Sequence, residues 1–145
     1  MNGNGLIHER FDAYKASIDF LVIAEEVASH LPKGRSYLAD QLRRAATSIA
    51  LNIAEGAGEF APADKARFYR IARRSATECA AVLDVCRRLE LGVVGRLTAG
   101  KAVLERIVAM LTALVLRVSG RGAGTGAGSG AGTGRGAGAG GGDEG

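Results

Sequence analysis

From Ala63 to Leu91 the chain contains neither glycine nor proline, and its small and apolar positions recur at alternating steps of four and three: Phe68, Ala72, Ser75, Cys79, Val82, Cys86 and Leu89. That period belongs to an α-helix with one packed seam and cannot be laid on the two-residue repeat of a strand. A helix of this length must cover its seam with other elements of similar length. The feature therefore selects helix-on-helix packing for the whole chain.

The remaining sequence supplies three partners. Residues 8–31 place Phe11, Tyr14, Ile18, Leu21, Ala24, Ala28 and Leu31 at helical spacing, stopped by Pro32-Lys33-Gly34. The spacing predicts that this set forms the inward face. Residues 36–57 follow, with Ser36 as a candidate N-cap and Leu38, Leu42, Ala45, Ala46, Ile49 and Ile53 as the apolar face. Gly56 and Gly58 are expected to close this second helix. The third helix opens on Pro62, suited to a first helical turn, and is expected to run to Leu91 with Gly92 as its stop. The fourth, residues 96–118, is apolar nearly all round, which predicts a face covered by another subunit. Short connections between helices of this length predict an all-α fold, an antiparallel up-down-up-down four-helix bundle over residues 1–118.

Residues 119–145 hold 14 of the 22 glycines in the 145-residue chain and offer almost no large apolar side chain. They are read as a disordered Gly/Ala-rich tail, since nothing there offsets the entropy of ordering. The longest apolar run, Ile107 to Leu116, is too short to cross a bilayer, and MNGNGLIHER lacks the apolar core of a secretory signal. A cytoplasmic protein with no membrane attachment is expected. Cys79 and Cys86 lie seven apart, about 10 Å along a helix, too far to bridge, and read as buried free thiols.

Candidate chemistry is sparse. Gly56-Ala57-Gly58-Glu59-Phe60-Ala61 has the spacing of a dinucleotide fingerprint, but a helix precedes it where that motif needs a strand. It reads as a helix terminus. His8 and His30 stand apart, no His/Cys/Asp cluster has ligand spacing, and neither metal, cofactor nor catalysis is expected. Charge is more informative. The net charge is +4, but residues 1–60 carry −2 and residues 61–118 carry +6. Opposite the seam of helix three, Arg67, Arg70, Arg73, Arg74 and Arg88 form a stripe about 30 Å long, with Asp84 as its one interruption. Arg43 and Arg44 on helix two extend the basic surface. On the flank of helix two, Gln41, Ser48, Asn52, Glu55 and Glu59 fall together, and Leu51 points away from the apolar face. Three uses for the arginines stay open: a solvated face, ion pairs with carboxylates such as Glu55 and Glu59 within or between subunits, and phosphate-backbone contact with RNA or DNA.

The segments YKASIDFLV, LPKGRSYLADQLRRAATSIALNIAEGAGEF and DKARFYRIARRSATECAAVLDVCRRLEL resemble the four-helix-bundle proteins encoded within bacterial 23S rRNA intervening sequences. The accessory variability proteins of diversity-generating retroelements are similar to these. The resemblance covers Phe11 to Leu91, is most specific in the Ser-Ile…Asn-Ile-Ala-Glu-Gly phrase, and does not extend to the glycine tail. It implies a homopentamer and, in the retroelement branch, contact with a reverse transcriptase and nucleic acid. It carries no catalytic residues.

Overall fold

The computed structural model describes the backbone of residues 3–130 and the side chains of residues 5–120. Its elements are α1 (Gly3–Ser29), a 3-10 turn (Lys33–Arg35), α2 (Ser36–Gly58), α3 (Pro62–Arg88) and α4 (Val94–Gly130), with no strand among the described residues. Each helix packs on its neighbour in sequence, and α4 closes on α1; the diagonal pairs show no close backbone approach. Cross-helix contacts fix the antiparallel sense. Glu25 near the end of α1 meets Arg43 early in α2, and Glu9 near the start of α1 meets Arg117 late in α4. The up-down-up-down bundle expected from the sequence is the observed fold. The expected tail, residues 119–145, lies for the most part outside the described residues, although the backbone of α4 is helical to Gly130.

Helix ends differ in detail from the sequence reading. Ser36 does not cap α2; the 3-10 turn precedes it, and Arg35 in the capping position makes no side-chain cap. Pro62 does open α3, with Asp64 in the first turn and Arg87 and Arg88 in the last, where each charge opposes the local end of the helix dipole. α3 stops before Gly92. Glu90 takes a left-handed φ of 59°, Leu91 N–H donates to Cys86 O at 2.8 Å, and Glu90 N–H donates to Arg87 O at 3.1 Å. Those two bonds are a Schellman closure built on a non-glycine residue.

The inward face of α2 is the predicted one: Leu38, Leu42, Ala45, Ala46, Ile49 and Ile53 are all buried. So is most of the α3 seam, to which Ala66, Tyr69, Ala76 and Leu83 are added, while Phe68 is half-buried and Leu89 exposed. α1 overturns the first half of its prediction and keeps the second: Ala24 and Ala28 are buried as expected, and Leu21 and Leu31 pack against the core. The buried face is Leu6, Ala13, Ala16, Ser17, Phe20, Ala24, Val27 and Ala28. Phe11, Tyr14 and Ile18, predicted inside, are exposed, together with Ile7 and Val22. α4 satisfies most of its apolar set within the bundle itself. Leu97, Leu104, Ile107, Leu111, Leu114, Val115 and Val118 are buried within the bundle, and Val103, Val108 and Met110 pack against that core. Much of its outer surface is alanine and charge, with Val94 and Leu116 as exposed large residues.

Alanine explains the exchange on α1. Small side chains let helix axes approach closely, so a face of alanines around Phe20 fits against α2 and α4 where a row of Phe, Tyr and Ile would hold them apart. Two glycines mark the tightest points. A Cβ on Gly56 would stand 2.6 Å from Tyr69 Cε1, and one on Gly100 would stand 2.9 Å from Leu83 Cδ1. Gly56 is thus a buried packing residue inside α2, not its terminator.

Gly56→Ala should destabilise the fold by about 1–3 kcal/mol, because the fully buried Tyr69 ring has nowhere to retreat. Gly58→Ala, with open space around it, should be neutral or stabilising by up to about 1 kcal/mol. Urea unfolding monitored by circular dichroism measures both, and equal effects would refute the packing role of Gly56. The Tyr69 hydroxyl is buried without a well-formed hydrogen bond, with Arg10 of α1 as its polar neighbour. Tyr69→Phe should therefore leave stability unchanged or raise it by about 1 kcal/mol in the same assay, and a clear loss would show that Arg10 is a true partner of the hydroxyl. Burial first, and Glu78 second, push the Cys79 thiol up to about 12. Its protonated state in the fold favours folding up to the ordinary thiol range, and that contribution fades as pH rises further toward 12. At about pH 8 neither Cys79 nor Cys86 should react with a chromogenic aryl disulfide until the protein is unfolded; rapid native reaction would contradict their burial.

Candidate nucleic-acid interface

α3 carries the basic stripe on its outward side, directly opposite the core of Ala72, Ala76, Cys79 and Leu83. Arg67, Arg70, Arg74 and Arg88 are exposed there, and none joins an ion pair among the described residues. The Arg67 guanidinium lies 4.4 Å from the centroid of the Phe68 ring, which steadies it over an aromatic face without consuming its charge. Arg73 leaves the stripe: half-buried, it donates to Thr112 Oγ1 of α4 at 3.3 Å. Asp84, the expected interruption, turns to α4 and binds Lys101 Nζ. Its negative charge is thereby offset, and the outer face of α3 is more uniformly cationic than the sequence suggests.

The two arginines of α2 separate. Arg43 grips Glu25 of α1 through both fork positions, Nε to Oε1 at 2.9 Å and NH2 to Oε2 at 3.0 Å. That bidentate bond holds the Glu25 carboxyl below its ordinary range and the guanidinium above its own. Arg43 is therefore occupied within the protomer. Arg44 is exposed with no ion pair, beside Asp40, Thr47 and the outward-pointing Leu51 in a shallow hollow of α2.

The polar flank of α2 meets α3, but not its arginines. Gln41 Nε2 donates to Glu78 Oε2 at 2.9 Å, Ser48 Oγ bonds Ser75 Oγ at 2.8 Å, and Asn52 Nδ2 donates back to Ser48 O at 2.9 Å and Ser48 Oγ at 3.0 Å. Asn52 is thus part of the hydrogen-bonded seam that joins two helices. Ser75 sits in a core position because Ser48 satisfies it. Glu55 is exposed and Glu59 half-buried, and neither pairs with an arginine of α3. Proximity in the antiparallel pair is not the obstacle: counting from Ser48 opposite Ser75, Glu55 lies level with Phe68. The side chains simply project outward from different helices.

Two features went unseen in the sequence. Lys65 Nζ donates to Gly56 O at 3.2 Å and Ala57 O at 3.4 Å, closing the C-terminus of α2 from the first turn of α3. Burial, then the neighbouring charge of Arg10, lowers its pKa, while Glu59 acts against them. The exposed α1 row of Ile7, Phe11, Tyr14, Ile18 and Val22 is the other. Its periodicity was legible, its side of the helix was not. Beside it a groove of about 380 Å³ runs between α1 and α2. Among the described residues no helix is long and apolar enough to cross a membrane, and no group of His, Cys, Asp and Glu is placed to hold a metal.

Comparison with known proteins agrees with this architecture. The bundle superposes with a TM-score of 0.68 on the crystal structure of a protein of the S23 ribosomal protein family from Bacteroides thetaiotaomicron VPI-5482, at 21% identity, spanning 74% of this chain and 97% of that one. At that identity the likeness concerns the fold. No curated protein matches the sequence. The family model for the 23S rRNA-intervening sequence protein matches residues 9–113, the bundle from early α1 into the second half of α4. The chain belongs to the 23S rRNA-intervening sequence protein family.

Proposed function

We propose that this protein is a non-enzymatic, oligomeric helical scaffold of the bacterial cytoplasm that binds RNA or DNA electrostatically, without strong sequence preference. The observation that carries the reading is the outer face of α3, where Arg67, Arg70, Arg74 and Arg88 stand exposed and, among the described residues, without ion pairs. Cations at that spacing along a rigid helix suit a phosphate backbone, whose recognition needs charge and register but no base contacts. The absence of tryptophan and the scarcity of aromatics accord with backbone binding. Assembly is supported by the α1 row from Ile7 to Val22, about 22 Å of exposed apolar surface on a helix otherwise well packed. A pentamer is what the family resemblance implies, and each added copy would repeat the basic stripe and raise avidity.

The competing reading is an adaptor whose arginines pair with carboxylates of a neighbouring subunit or of a partner such as a reverse transcriptase. Glu55 and Glu59, which pair with no arginine among the described residues, are the observation in its favour.

Fluorescence anisotropy with single-stranded RNA and duplex DNA, titrated with salt, separates the two. Wild-type protein should bind both, with affinity falling steeply as salt rises. Arg70→Glu with Arg74→Glu should abolish binding or flatten the salt slope by roughly two units, about one per lost phosphate contact. Arg43→Ala should change affinity less than about twofold, since Glu25 already holds that guanidinium. No binding at low salt, or an unchanged double reversal, would overturn the nucleic-acid reading. Loss of assembly mass by light scattering in the double reversal would favour the adaptor.

A further inference from the structure

We infer that Phe60 of one copy seats in the groove between α1 and α2 of a second copy, forming a head-to-tail contact. The inference rests on the assembly proposed above and names the surfaces that would make it. Phe60 is 97% exposed, the most exposed large apolar side chain among the described residues. It does not stand on a loose loop. The connection between Gly58 and Pro62 is short, Glu59 N–H donates to Gly56 O at 3.3 Å, and Lys65 ties Gly56 O and Ala57 O from the other side. An aromatic ring held out in this way is a preorganised anchor, since little freedom remains to be lost when it docks.

The same chain contains a receptor of matching chemistry. The groove of about 380 Å³ is walled by Ile7, Phe11 and Tyr14 of α1 and by Ala54 and Ala57 of α2, over the buried Ile53. Alanine on the α2 side leaves the hollow, and aromatic and branched side chains on the α1 side line it. Arg10 stands at its edge with no ion pair among the described residues, close enough to Lys65 to disfavour the lysine's charge. An occupant that brings an apolar ring and a carboxylate would satisfy both parts. Glu59-Phe60 is such a pair.

Geometry makes the contact intermolecular. Phe60 is not in its own groove, as its exposure shows, yet Ala57 in the groove wall is only three residues away in sequence. Knob and groove therefore lie at the same end of the bundle but on different faces. A second copy rotated about an axis parallel to the helices brings its Phe60 to the height of this groove, which is the heterologous arrangement.

A complementation experiment tests this. Phe60→Asp removes the knob and keeps the groove; Ala54→Trp fills the groove and keeps the knob. Both positions are exposed, so both variants should retain wild-type helicity by circular dichroism. By light scattering, wild type should be larger than a monomer, each variant should be a monomer, and their equimolar mixture should form a dimer through the one intact interface. The dissociation constant of either variant with itself should rise on the order of 100-fold. Wild-type mass in Phe60→Asp, or no dimer in the mixture, would overturn the knob-and-groove contact while leaving assembly through another surface. A monomeric wild type at about 100 µM would remove the assembly reading itself, and this inference with it.

Discussion

The close approach of α2 and α3 at Gly56 sets the arrangement of the rest of the bundle. The Tyr69 ring occupies the space where a side chain at position 56 would begin. The rows of alanine on α1, α2 and α3 continue the same tight spacing along their lengths. Once helix axes are that near, the large apolar side chains of α1 have no room inside. The helix presents Ala13, Ala16, Ala24 and Ala28 around Phe20 instead, and Phe11, Tyr14 and Ile18 turn out. The surface proposed for assembly is in this sense a consequence of how the core is packed. A looser core could have absorbed those residues and left a monomer with a polar exterior.

Electrostatics are distributed with a similar division. Three of the five acids of α1 are matched by basic residues of α2 and α4: Glu25 with Arg43, Glu26 with Arg96, Glu9 with Arg117. Asp84 of α3 is matched by Lys101 of α4. These are surface pairs, each worth little on its own and weakened by salt. Their combined effect is on what remains. They leave Arg67, Arg70, Arg74 and Arg88 without a carboxylate among the described residues, so unpaired positive charge gathers on the outer face of α3.

The architecture was legible because helix period and glycine-proline punctuation are local signals. The inward faces of α2 and α3, and the opening of α3 at Pro62, follow directly from them. What could not be read was the choice between two acceptable faces on one helix. Residues 3–29 contain both a stripe of large apolar residues and a stripe of small ones, and periodicity favours the larger. The neighbours decide, through interaxial distance, and that is a tertiary property. Gly56 was misread for a related reason: a glycine near a helix end has a local explanation, and the Tyr69 ring that gives the actual one lies 13 residues further on. At the candidate site, the stripe on α3 was visible from 3.6-residue geometry. The loss of Arg73 to Thr112 and of Arg43 to Glu25 was not, since each depends on a partner from another helix.

These two divisions, of apolar surface and of charge, are related by the topology. In a bundle closed as α1, α2, α3, α4, helices one and three are diagonal, with no close backbone approach; they meet only through side chains such as Arg10 beside Lys65 and Tyr69. The exposed row on α1 and the arginine face of α3 must therefore point away from one another. In the proposed contact the groove is supplied by α1 and α2 and the knob by Phe60 at the end of the α2–α3 connection, so most of the arginine face along α3 stays outward and available to a polyanion. The adaptor reading asks the α3 arginines to lie within subunit contacts, and this disposition is less favourable to it. An ion pair between the arginines of one copy and Glu55 of another would need an interface on the α2–α3 side, where the exposed large residues along the helices, Tyr37, Leu51, Val85 and Leu89, form no continuous apolar row and Phe60 stands at one end. Charge pairs at an exposed seam of that kind contribute little net affinity. The stripe is better placed to meet a ligand that carries its own dense charge.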